Sequence, residues 1–81
     1  MNPSKTCATI RRLTAAIAYH HEESRCWVGE KAITELEMAD ALALRLYQLR
    51  RECDRLGWKK CAALATRGLA GTSFHNRGED Y

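Results

Sequence analysis

The sequence predicts an all-α protein: an antiparallel helical hairpin plus a short third helix, a small helical bundle, followed by an irregular C-terminal tail. Three observations carry this. Apolar residues recur at helical spacing through two long segments. Charge along the second segment runs from acidic to basic, the order a helix macrodipole favours. Twelve alanines stand against a single proline, and that proline is at position 3, where the start of a helix tolerates it. With 81 residues, 46% of them hydrophobic and 28% charged, the chain reads as one small helical domain, 1–81. Such a chain buries only roughly 60–65% of the surface its unfolded form exposes, so the core is modest.

The first helix is expected over about residues 3–25. Asn2 supplies a capping amide and Pro3 a first position with no N–H to satisfy. Cys7, Ile10, Leu13, Thr14, Ile17, His21 and Ser24 fall within about 120° of arc, with Arg12, Ala15, Tyr19 and Glu23 on the other side. Trp27-Val28-Gly29 then forms the connection, with Gly29 free to take a positive φ and Trp27 and Val28 expected to cap the bottom of the core.

The second helix is expected over about 30–56. Glu30, Glu35, Glu37 and Asp40 precede Arg45, Arg50, Arg51 and Arg55, which sets its direction. Leu42, Leu46, Leu49, Cys53 and Leu56 alternate in steps of four and three, a seam with Leu49 at its centre. The short connection makes the two helices antiparallel neighbours. Gly57 is expected to break or bend the chain, with a third helix over about 58–68 carrying Trp58, Cys61, Leu64 and Ala65 and stopping at Gly68. Residues 69–81 have no period and read as a tail.

Several function classes are disfavoured. Arg11 and Arg12 interrupt the first apolar residues, so no secretory signal is recognisable, and no run approaches the ~18 apolar residues of a spanning helix. A soluble, cytoplasmic chain with no membrane association and reduced thiols is the expectation. Cys7, Cys26, Cys53 and Cys61 include no Cys-x-x-Cys pair, and His20 and His21 are adjacent, pointing about 100° apart on a helix. No metal and no cofactor is expected; Cys7, Cys53 and Cys61 read as small buried hydrophobes. No phosphate-cradling glycine loop and no nucleophile or metalloprotease motif occurs, so the chain is not expected to be an enzyme.

Two surfaces are left as candidates. Residues 45–68 hold seven lysines and arginines against Glu52 and Asp54. Of these, Arg50, Arg51, Arg55, Lys59 and Lys60 are candidate contacts for nucleic acid or an acidic partner. Arg51, Arg55 and Lys59 would stack at four-residue intervals on an unbroken helix. A helix-turn-helix around Gly57 fits poorly, because Glu52 falls at an apolar position and the preceding helix is too long. The second surface lies nearly opposite the Leu42/Leu49 seam: Ile33, Leu44, Tyr47 and Arg51, with Asp40 among them. A lone hairpin does not cover it; either the third helix does or another chain docks there. That chain is either a larger protein or nucleoprotein partner, or a second copy in a homodimer.

The expected function is a non-enzymatic protein–protein interaction protein, an inhibitor or adaptor docking on a larger macromolecule. In size and surface character it is comparable with phage-type antagonists of host nucleic-acid machinery such as anti-CRISPR proteins, a comparison no motif supports. The alternative is a small DNA- or RNA-binding regulator using the basic 45–68 segment.

Overall fold

A computed structural model describes residues 2–72 and 74. Three helices follow in order: α1, Pro3–Cys26; α2, Glu30–Leu56; and α3, Lys59–Gly68. They pack against one another as a small all-α bundle. Each boundary has a local cause. The Asn2 side chain accepts a hydrogen bond from the Lys5 N–H at 2.9 Å, satisfying one of the donors a helix start leaves open. Gly29 (φ 75°) turns the chain between α1 and α2. Gly57 (φ 75°) ends α2 in the left-handed conformation. There the Gly57 N–H donates to the Asp54 carbonyl at 3.2 Å and the Trp58 N–H to the Cys53 carbonyl at 2.9 Å, so the break expected at Gly57 is present, in the manner of a Schellman stop.

The core comprises Ile10, Ile17, Ala43, Leu46, Cys53, Cys61, Ala62, Ala65 and Leu69, with Cys7, Leu13, Leu42, Tyr47, Leu49, Trp58, Leu64 and Phe74 packed against it. On α2 the buried positions are Ala39, Ala43, Leu46, Arg50 and Cys53. They repeat in the same steps of four and three as the expected seam, rotated about 60° round the helix. The reason is α3. A helix with one neighbour buries the face toward it; α2 has two neighbours, and its buried arc shifts to lie between them. Leu46 is the fully buried leucine of this seam and Leu49 is only half-buried, while Leu56 is exposed.

α3 lies alongside α1 in the same direction. Cys7 faces Cys61, and seven residues further on Thr14 faces Gly68. α3 ends at Gly68 as expected, though not through a positive φ: Gly68 is its last helical residue, where a Cβ would meet Thr14 Oγ1 and come within 2.8 Å of Leu46 Cδ2. Small residues at Ala62, Ala65 and Gly68 let α3 approach closely.

Two further expectations are corrected. Leu69 and Phe74, read as tail, belong to the packing: Leu69 is fully buried and the Phe74 ring lies 5.6 Å from that of Tyr47. Of the rest of the expected tail, residues 70–72 form an irregular turn, and Ser73 and residues 75–81 lie outside the described residues. Trp27 and Val28 do not cap the core. Val28 is 92% exposed, and Trp27 lies beneath the Lys31 ammonium, 3.8 Å from its ring centroid.

Candidate interaction surfaces

α2 spans 27 residues, ~40 Å, and α3 only 10, ~15 Å. α3 therefore covers the end of the hairpin from the level of Cys7 to that of Thr14 and leaves the half near the α1–α2 turn as two helices alone. Ile33 (56% exposed) and Leu36 are uncovered there, and Leu44, two residues from the Leu46 that meets Gly68, is exposed at the edge of the covered half. On α2, Ile33, Leu36, Asp40, Leu44, Tyr47 and Arg51 share about 80° of arc. The face expected between Ile33 and Arg51 is thus present as a row, and Leu36 joins it. Leu36 was missed because it lies between the rows used to define seam and opposite face.

The row changes character at Tyr47. Its ring is half-buried against Phe74, and its hydroxyl accepts a hydrogen bond from Arg51 Nη1 at 3.2 Å. Tyr47 is therefore part of the packed end, and the open apolar portion is Ile33, Leu36 and Leu44.

The basic segment does not form one face. Arg50 is 8% exposed, placed on the rotated seam, with its Cζ 5.5 Å from the Tyr47 ring centroid and its buried Nε without an acceptor among the described residues. Its expected role as a surface contact does not fit that burial. Arg55 Nε donates to Glu52 Oε2 at 3.2 Å. That hydrogen bond, with the guanidinium charge, holds the Glu52 carboxyl below the usual carboxylate range and raises Arg55 further. The expected break at Gly57 takes Lys59 out of the Arg51/Arg55 row, so the stack of three cations that an unbroken helix would give does not form. Lys59 and Lys60 are exposed on the first turn of α3.

The cysteines depart most from expectation. Cys7 and Cys61 form a disulfide with Cα atoms 5.2 Å apart, where reduced thiols were expected. Nothing in the spacing marked this pair, because it depends on the parallel placement of α3 on α1. Cys26 is free and exposed; Cys53 is free and buried. Burial, with the Asp54 and Glu52 charges, pushes the Cys53 thiol above its ordinary range. His20 Nδ1 lies 2.5 Å from Glu35 Oε2, a half-buried pair joining α1 to α2. Among the described residues no three His, Cys, Asp or Glu side chains converge as a metal site, and no helix is long and apolar enough to cross a membrane.

No family model, no curated protein and no solved structure matches the chain.

Proposed function

We propose that the protein is a non-enzymatic docking protein, an inhibitor or adaptor, that binds a larger protein through the open apolar row of α2. The observation that carries this reading is the coincidence of Ile33, Leu36 and Leu44 on one side of α2, running from the level of α3 into the hairpin half that α3 does not reach, with Val28 exposed at the turn below them. Aliphatic side chains gathered on one face, rather than scattered singly, are the surface feature associated with protein contacts. Asp40 within the row adds a charge that sets orientation rather than affinity.

The test uses wild type and Ile33→Asp/Leu36→Asp as parallel baits in lysate of the source cells, with sedimentation of each bait alone. Both positions are exposed, so the helical circular dichroism should be unchanged. The expected result is a partner retained by wild type, lost by the variant, and a monomer in both sedimentation runs. Equal retention by both baits would remove the row from the function. A wild-type dimer that the variant splits would make the partner a second copy of the chain.

A further inference from the structure

Apart from the α2 row, a groove of about 310 Å³ lies between α1 and α3, lined by Cys7, Arg11, Lys60, Ala63, Leu64 and Arg67. Half of that lining is cationic and none of it is acidic. Arg11 and Arg67 also line the adjoining groove, with Ile10 and Gly68 buried at its floor and Leu64 half-buried beside them. Arg11, Lys60 and Arg67 are all exposed, and none takes part in an ion pair with a carboxylate among the described residues. The three cations come from two helices, so the sequence shows no cluster: Arg11 lies 49 and 56 positions away from the other two. They converge because α3 runs parallel to α1 and is joined to it at Cys7–Cys61.

We infer that this groove binds the phosphate backbone of duplex nucleic acid, independently of base sequence and separately from the apolar row of α2. Like charges lining one groove repel, and a row of phosphates removes that repulsion. Lys60 and Arg67 stand seven residues apart on α3, ~10 Å along the helix, a span matching about three phosphates at ~3.4 Å of axial rise per strand. A single carboxylate on a protein partner would satisfy one of the cations and leave the others unmatched. The floor is aliphatic and offers no row of aromatic rings on which single-stranded bases would stack, which favours a duplex. α1 and α3 both begin at the Lys60 end of the groove, neither has an acidic residue in its first turn, and their dipoles add to the positive potential at that end.

The experiment is fluorescence anisotropy of a labelled random-sequence DNA duplex titrated with the full, disulfide-bonded chain at several salt concentrations. Three phosphate contacts give a slope of log affinity against log salt of about −2.7, an approximately 40-fold loss between 50 and 200 mM salt. Arg11→Gln/Lys60→Gln/Arg67→Gln should weaken binding at least ~10-fold at 50 mM and flatten the slope. The charge-preserving Arg11→Lys/Lys60→Arg/Arg67→Lys should keep both, which separates lost charge from lost fold. Arg45→Gln/Arg55→Gln, on α2, should change affinity by no more than about twofold. Absence of saturable binding by ~0.5 mM at 50 mM salt, weaker than ordinary non-specific DNA binding, overturns the inference. So does equal weakening by the α2 variant, and so does polyglutamate that competes as well as unlabelled duplex.

Discussion

Gly68→Ala is the substitution on which local propensity and tertiary packing disagree most sharply. Alanine in place of glycine inside a helix ordinarily stabilises by up to about 1 kcal/mol. At this position, however, the new Cβ would overlap Thr14 Oγ1 and come within 2.8 Å of Leu46 Cδ2. The leucine methyl is the end of a flexible side chain and can turn away. Thr14 has less freedom, because its hydroxyl donates to the Ile10 carbonyl at 2.9 Å within α1. α3 must therefore move away from α1, and overpacking of that kind costs about 1–3 kcal/mol. The net expectation is a loss of up to about 2 kcal/mol, or a urea midpoint lower by up to ~2 M at a small-protein slope of ~1 kcal/mol/M. The assay is urea unfolding followed by far-UV circular dichroism without reductant. Thr14→Ala completes a double-mutant cycle: in that background Gly68→Ala should become neutral or mildly stabilising, a coupling of about 1–3 kcal/mol. A single Gly68→Ala variant more stable than wild type would refute the close approach of α3 to α1.

Other expectations follow from the core and the thiols. Leu46→Ala should destabilise by about 2–5 kcal/mol, Leu49→Ala by roughly half as much, and Tyr19→Ala by less than ~0.5 kcal/mol; unfolding midpoints ranking Leu49→Ala below Leu46→Ala would restore the unrotated seam. A thiol reagent should label one cysteine rapidly in the native chain, Cys26, because Cys53 is buried and its thiol is shifted upward. Unfolding without reductant should expose two thiols and reduction all four; four before reduction would exclude the bridge.

What the sequence revealed and what it concealed divide along one physical line. Helix positions follow from local chemistry: the Asn2 cap, Gly29, and the left-handed Gly57 each act within a few residues, and each was legible. The phase of α2 was not, because two seams with the same step pattern run along it. One carries Leu42, Leu49 and Leu56; the other carries Ala39, Ala43 and Arg50; both share Leu46 and Cys53. Side-chain size favours the first, and only the position of α3 selects the second. Every misplacement at the candidate site traces to that choice or to the chain end beyond it. Arg50 is buried because it belongs to the selected seam, and Tyr47 is half-buried because Phe74 returns over it. Ile33 and Leu44 stay exposed in either phase, which is why that part of the surface was readable.

The bridge and the third helix together give the two halves of the hairpin different characters. A crosslink spanning 54 residues removes, in the chain-entropy account, about 4 kcal/mol of freedom from the unfolded chain. The total stability expected of a chain this size is only about 4–12 kcal/mol. That contribution, Leu46, Leu69 and the small residues of α3 are all at the closed end. The turn end has Ala39, the inward side of α1 and the His20–Glu35 pair to join its two helices. Local opening should accordingly require least free energy at the turn end. Each half then suits a different surface. The groove of Arg11, Lys60 and Arg67 needs cations from two helices kept in register, and the disulfide keeps them so. The row of Ile33, Leu36 and Leu44 runs from the edge of α3 into the less constrained half, and its aliphatic side chains stay exposed there because α3 is too short to cover them.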